Sequence, residues 1–310
     1  MLRKYKYILL GLLTHVPGLH AALHRGTGGT NSARYCYSVW LRHMAIAAQN
    51  STMPPHGTLA EIGPGDSLGI GVSALLCGFE RYYAFDHVAH AASPTNLQIF
   101  DELVALFRAR APIPGDAEFP NAHPKLLDYA FPSAYLTEER LAAALAPERV
   151  ARLRADLEQL QGAISYVAPW QDRVAQQGGE LDFIVSQAAM EHVDRLEEAY
   201  ATMATWLKPG GIMSHQIDYK CHEMSEVWNG HMGYSPFVWR LMRGRLPYLL
   251  NRRVHSQHVR IMQSLGLRIL TELKVIRDGG LAREQLGGGL GPVEDDDFRI
   301  SGALVQAQKP

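Results

Sequence analysis

The sequence predicts an α/β fold, a largely parallel sheet with helices on both faces, and three observations carry that prediction. A short apolar strand runs directly into a glycine turn and a helix at Leu59-Ala60-Glu61-Ile62-Gly63-Pro64-Gly65-Asp66-Ser67-Leu68-Gly69. Further short apolar runs, at residues 81–87, 163–168, 181–186 and 212–218, read as strands alternating with helical patterns. An acid, Asp86, closes the run at 81–87 about twenty residues beyond the glycines, the offset at which nucleotide-binding α/β folds hold ribose hydroxyls.

In chain order, the first segment is Arg3-Lys4-Tyr5-Lys6 followed by the apolar residues 7–13. The run is too short to span a bilayer and lacks a small-residue cleavage site, so a helix docked on the domain is expected. The alternative is an interfacial helix that holds the protein near a membrane. Residues 26–31, Gly26-Thr27-Gly28-Gly29-Thr30-Asn31, form a polar hinge, and residues 32–44 show aromatic and apolar side chains at helical spacing. Glycines at 63 and 65 permit positive φ and a close ligand approach. Asp66 and Ser67 are placed to cap a helix over 67–76 whose N-terminal amides face the loop's ligand.

After the strand at 81–87 comes a long insertion, about 95–160. It is predicted as two helices, 97–110 and 138–160, around a connection rich in proline (Pro112, Pro114, Pro120, Pro124). Helical insertions at strand carboxyl ends border the ligand crevice, so this cap is a candidate for substrate selection. The strand at 163–168 is expected to be central, and a helix beginning at Pro169-Trp170-Gln171-Asp172 offers Trp170 for stacking on a base. The strand at 181–186 leads into the loop 187–193. Asp194 is expected to cap a helix to Leu207, and Lys208-Pro209-Gly210-Gly211 stops it before the strand at 212–218. A second insertion to about 253 carries His222, Trp228, His231, Tyr234, Phe237 and Trp239, a polar-aromatic mixture suited to a pocket wall. A helix at 255–265 and strands at 267–276 and 298–308 complete the chain.

The 310 residues are 47% hydrophobic and 20% charged, an ordinary globular composition, with a formal net charge of −1 that gives no reason to expect nucleic acid. Three widely spaced cysteines, Cys36, Cys77 and Cys221, argue against a disulfide framework and for a reducing cytoplasm.

With these residues in place, the chain from about Tyr35 onward resembles the class I S-adenosylmethionine-dependent methyltransferases. The likeness lies in Glu61-Ile62-Gly63-Pro64-Gly65-Asp66-Ser67, in Asp86, in residues 181–186 with Glu191-His192-Val193, and in Leu207-Lys208-Pro209-Gly210-Gly211. Leu68 stands where a dinucleotide-binding loop would carry its third glycine. The resemblance implies a Rossmann-like seven-stranded class I methyltransferase sheet, with helices on both faces and the inserted helical cap, in one domain over 1–310 that includes an N-terminal helical region, 1–50. It implies S-adenosyl-L-methionine as cofactor, with contacts at Glu61, Gly63, Gly65, Asp66, Ser67, Asp86, His87, Trp170, Ser186 and Gln187. A narrower likeness, in residues 215–222, Tyr234-Ser235, Trp239 and residues 247–252, is to methyltransferases of bacterial surface-polysaccharide and glycoconjugate biosynthesis. There an aspartate often precedes the second histidine; here that residue is Cys221.

A sugar hydroxyl is a poor nucleophile at neutral pH, so a general base is expected, and histidine suits it best. Of the 14 histidines, His215 at the end of the fifth strand is the first candidate, oriented or assisted by Asp218, and His192 is the second. A metal on His215, Asp218 and His222 requires the strand to end before residue 218, because 215 and 218 on an extended strand face opposite sides; no metal ligand is assigned. The expected partner is a small-molecule or glycan acceptor. The competing functions are a methyltransferase of another small molecule or peptide-derived metabolite, and a non-catalytic protein that only binds the cofactor.

Overall fold

The computed structural model describes residues 2–16, 29–50, 57–91, 95–170, 178–246 and 249–310. Gly26, Thr27 and Gly28 of the expected hinge, Gln171 and Asp172 of the helix start, and Pro247 and Tyr248 lie outside the described residues. The elements in chain order are α1 (Leu2–Leu13), α2 (Ala33–Gln49), β1 (Thr58–Ile62), α3 (Gly69–Leu76), β2 (Arg81–Phe85), α4 (Thr95–Arg108), α5 (Glu138–Ala144), α6 (Pro147–Gln159), β3 (Ile164–Val167), β4 (Leu181–Gln187), α7 (Leu196–Trp206), β5 (Leu207–Asp218), α8 (Pro236–Arg243), α9 (His255–Ser264), β6 (Arg268–Ile276) and β7 (Ile300–Gln308).

The seven strands form one sheet in the order β3-β2-β1-β4-β5-β7-β6. Six run in one direction, five of them in adjacent parallel pairs, and β7 runs antiparallel between β5 and β6. Central parallel strands are covered on both faces and so carry apolar side chains on both. Trp40 of α2 packs edge-on against Phe79 and Phe183 on one face, at 5.6 and 5.8 Å. On the other, Trp206 of α7 stacks on Phe85 at 4.7 Å. The order turns back between β1 and β4, and in open α/β sheets ligands bind outside the strand ends at that point.

Several expectations change. The helix at 138–160 is two helices, because Pro147 has no N–H to donate and starts α6 at its first position. The strand at 163–168 is β3, an edge strand and not a central one. Asp194 does not cap α7, whose N-cap is Arg195; Asp194 pairs with Arg243 instead. Strand β5 starts at Leu207, since residues 208–211 still pair with the chain end through Gly210 N–H to Lys309 O and Lys309 N–H to Gly211 O.

The first insertion divides its work between the two ends of the sheet. Arg140 of α5 and Arg149 of α6 donate to the carbonyls of Cys77 and Phe79, at the turn entering β2 and therefore at the amino end. The stretch that approaches the carboxyl ends is the irregular segment between α4 and α5, where Gln187 at the end of β4 donates to His123 O. Such a segment leaves its backbone carbonyls without ladder partners. Arg42 of α2, fully buried, supplies donors to the carbonyls of Pro114, Ala122 and Pro124, and its guanidinium lies 4.9 Å from the Tyr129 ring centroid.

Arg42→Leu strips those carbonyls of their donors, so it is expected to lower stability by about 2–4 kcal/mol, read as the denaturant midpoint, at the scale of orphaned buried polar groups.

Candidate functional site

At the β1 end, Gly63 and Gly65 have φ of +70° and +75°. A Cβ at Gly63 would lie 2.7 Å from the Ala189 methyl carbon, so the backbone of this loop is drawn tightly against the loop after β4. The amides that follow do not face an open ligand space as expected. Those of Asp66 and Ser67 donate to Thr30 Oγ1 at 2.8 and 3.1 Å, that of Leu68 to Asn96 Oδ1, and that of Gly69 to Ser67 Oγ. Helix α3 therefore starts at Gly69, two residues later than expected, and its first donors are satisfied inside the protein. Glu61 is buried with its Oε2 accepting from Tyr82 Oη and the Gly71 amide, which makes it a brace between β1, β2 and α3. Burial pushes its carboxyl up to about 7.

Asp86 follows the last residue of β2. Its Oδ1 accepts the His87 amide at 2.7 Å, while Oδ2 is buried without a hydrogen-bond partner. Burial raises its pKa, partly offset by the His87 and Val88 amides. A buried acceptor of this kind calls for a donor, and the paired hydroxyls of a ribose supply two. The His87 side chain is exposed. The Trp170 amide donates to Asp86 O, but its indole is buried edge-on against Trp206 at 6.0 Å, a core position and not a stacking platform facing the crevice.

The register of β4 against β5 sorts the next group. Ser186 pairs with His215, and Gln187 with Gln216. Ser186 Oγ lies 2.7 Å from His215 Nδ1, and both side chains are fully buried on the α7 and α9 face, where the His215 ring stands 5.5 Å from Tyr200. Burial and the nearby His43 push the His215 pKa down to about 3. In this setting His215 is a core histidine out of reach of an acceptor, which argues against it as the base and against Ser186 as a cofactor contact. Gln187 is half-buried, with its Oε1 3.1 Å from His43 Nε2. Strand β5 continues through Asp218, so Asp218 points to the opposite face from His215 and does not orient it.

Asp218 belongs to a different group. His222 Nε2 is 3.4 Å and Lys220 Nζ 3.2 Å from Asp218 Oδ2. Burial raises the Asp218 pKa, but these two partners outweigh it and the net shift is downward. The rings of His192 and His222 lie 5.3 Å apart. His192 is pushed down to about 4 by burial and then by His222. Glu191 is 2% exposed, and neither carboxyl oxygen has a hydrogen-bond partner of good geometry; burial and then Asp218 raise its pKa well above the ordinary range, against the backbone amides of Glu191 and Asp218 and the charge of Lys220. His123 of the irregular segment reaches the same neighbourhood: burial lowers its pKa, as do Lys125 and Lys220, against the pull of Asp218. Glu191, His192, Asp218 and His222 thus converge beyond the carboxyl ends of β4 and β5.

Asn251 holds this turn in place, donating from its amide to Glu191 O and from Nδ2 to the carbonyls of Met190 and Val193. Arg252 does the same for the second insertion, donating to Met232 O and Tyr234 O with its guanidinium 5.2 Å from the Trp239 ring. Sequence reasoning missed His123, Asn251 and Arg252 as site builders. Asn251 and Arg252 were visible only as a dipeptide within the narrower resemblance, and His123 sits in a stretch without periodicity.

Residues 130–214 match the family model described as a methyltransferase domain, a span from the approach to α5 through Ser214 of β5. No curated protein matches the chain by sequence. Among solved structures, the chain is similar to an S-adenosylmethionine-dependent methyltransferase from Mesorhizobium loti (14% identity, 84% of this chain and 96% of that one, TM-score 0.43). It is also similar to one from Methanosarcina mazei (12%, 84% and 96%, 0.44). A third is the geranyl diphosphate C-methyltransferase of Streptomyces coelicolor, solved with S-adenosyl-L-homocysteine, Mg2+ and geranyl diphosphate (14%, 85% and 77%, 0.42).

The buried histidines set a pH dependence. His43 is held near 4 and His215 near 3, and His258 well below its ordinary value, in each case first by burial. The unfolded chain binds their protons near pH 6.5 and the folded chain does not, so stability falls as pH drops from about 6.5 toward 4. His123, His192, His231 and His255 are lowered in the same sense, while Glu61, Asp86 and Glu191, whose pKa values are raised, act in the opposite one and are outnumbered. The melting temperature is accordingly expected to fall across that window.

Proposed function

We propose that this S-adenosylmethionine-dependent methyltransferase transfers a methyl group to a hydroxyl of a sugar or glycan, and that the acceptor's proton is removed at the Glu191, His192, Asp218 and His222 cluster. The methyltransferase-domain match at residues 130–214 and the strand order of the sheet support the activity itself, methyl transfer from S-adenosylmethionine. When bound, the cofactor supplies an electrophilic sulfonium methyl group, so the protein's task is to hold the acceptor in line and exclude water. Gly63 and Gly65 allow the close backbone approach, and the unpartnered Asp86 Oδ2 suits the ribose hydroxyls.

The observation that carries the acceptor reading is the convergence of two carboxylates and two imidazoles beyond β4 and β5, with the Glu191 carboxylate buried and unpartnered. A polyhydroxylated acceptor offers the donors this lining calls for, and an apolar one does not. With His215 enclosed in the core, the paired imidazoles of His192 and His222 lie outside the sheet, with His123 and His231 near them. The narrower resemblance to polysaccharide-biosynthesis methyltransferases supports the same acceptor class.

A second reading concerns location. Helix α1 docks on α8, with Gly11 against the backbone of Leu241 and Met242 and Arg3 donating to Ser225 O. Its outer face nevertheless exposes Tyr5, Leu9 and Leu12, with Val16 just past its end, on the segment that carries Arg3, Lys4 and Lys6. No helix among the described residues is long and apolar enough to cross a membrane. An apolar stripe flanked by basic residues suits contact with an anionic membrane surface from the cytoplasm, where lipid-linked glycans are assembled.

Two measurements test these readings. With glycan acceptors, His192→Ala should lower kcat by about 10²-fold or more while calorimetry finds S-adenosylmethionine affinity unchanged, the scale of acid–base assistance. Full turnover in that variant would reject the assignment. In co-sedimentation, the full chain should bind phosphatidylglycerol vesicles but not phosphatidylcholine ones, and Leu9→Glu with Leu12→Glu should abolish it; equal binding to both lipids, or none, would argue against the membrane contact.

A further inference from the structure

We propose that Glu191, His192 and His222 form a binding site for a divalent transition-metal ion at the carboxyl ends of β4 and β5. One ligand atom from each of the three residues lies within 4.8 Å of the others. Atoms sharing a zinc ion at about 2.1 Å stand about 3.4 Å apart, so side-chain rotation on the scale of 1 Å closes the set. Two imidazoles and one carboxylate are the borderline nitrogen and oxygen donors that zinc, manganese, cobalt and iron prefer; magnesium and calcium favour all-oxygen sites.

The independent observation is Glu191 itself. A carboxyl that is 2% exposed, with no side-chain donor on either oxygen, is costly to bury in its ionised form unless a cation completes it. Lys220, whose charge reaches Glu191, does not fill that need: its Nζ is engaged with Asp218 at 3.2 Å. Asp218 also lies 3.4 Å from the His222 ring, the carboxylate–histidine arrangement that orients metal-binding imidazoles. Asn251 fixes the backbone of Glu191 through its own amide, so one wall of the site is preformed. The set differs from the one sequence spacing suggested. His215 is excluded because it lies on the other face of the sheet, and Glu191 takes its place.

The existence of the site stands on this geometry; its role rests on the acceptor reading above. An ion held there would place Lewis-acid charge beside the acceptor hydroxyl and lower the cost of losing its proton to solvent on the half-exposed His222 side. The imidazoles would then act as ligands, and the charge of the ion would replace them as the means of activating the oxygen. The transferred group still moves by one exchange of bonds, the sulfonium carbon–sulfur bond breaking as the carbon–oxygen bond forms.

The test is calorimetric titration of the chelator-treated full chain with Zn2+, and with Co2+ while its visible absorption is followed. One ion per chain is expected, with at least tenfold weaker binding in Glu191→Gln and in His222→Ala. Circular dichroism and S-adenosylmethionine binding report folding in both variants, and His222, being partly exposed, is the safer substitution. Absence of a one-to-one site, or unchanged affinity in both folded variants, would overturn the proposal. If a metal-free enzyme methylates glycans at full rate, the ion's role falls and the imidazole base stands. If the ion binds but no glycan is methylated with it, the acceptor reading fails and the metal site stands.

Discussion

The pairing of β4 with β5 is the constraint on which the site depends. Once Ser186 lies opposite His215 and Gln187 opposite Gln216, the twofold alternation of an extended strand decides the fate of every polar side chain up to Asp218. Ser214 turns toward His43 of α2, at 2.7 Å, and His215 turns toward Tyr200 of α7. Only beyond the last paired residues can side chains from both strands meet without the sheet between them. Glu191, His192 and His222 are such residues, and Asp218, the last of its strand, joins them.

The same constraint explains the buried histidines. His215 and His258 each satisfy one ring nitrogen within the protein, through Ser186 and Tyr200, and His43 satisfies both, through Ser214 and Gln187. Burial disfavours the imidazolium, so they are neutral polar core residues, hydrogen-bonded where a carboxylate would need a cation. Glu191 has no such partner, and this contrast separates a structural polar group from one that calls for a ligand.

Around that site, irregular segments are held by polar side chains acting on backbone. Arg42 does this for the stretch bearing His123, Asn251 for the turn bearing Glu191 and His192, and Arg252 for the second insertion. Chain that makes neither helix nor strand must find donors for its carbonyls elsewhere, and one guanidinium or carboxamide serves two or three at once. Helix α1 adds a further wall by packing on α8.

The sequence by itself determined the sheet, the glycine turn and Asp86, because each is a local pattern: apolar period, a backbone demand for positive φ, and an acid at a strand end. It also indicated that 215 and 218 face apart. What it did not determine was which way the pair faces, since the pattern His215-Gln216-Ile217-Asp218 has the same alternation whichever side the core takes. Nor did local pattern separate the amides of residues 66–69, available to a ligand by sequence but taken by Thr30, Asn96 and Ser67 in the fold. Those outcomes depend on contacts between residues up to 171 positions apart, as between His43 and Ser214, and only tertiary packing decides them.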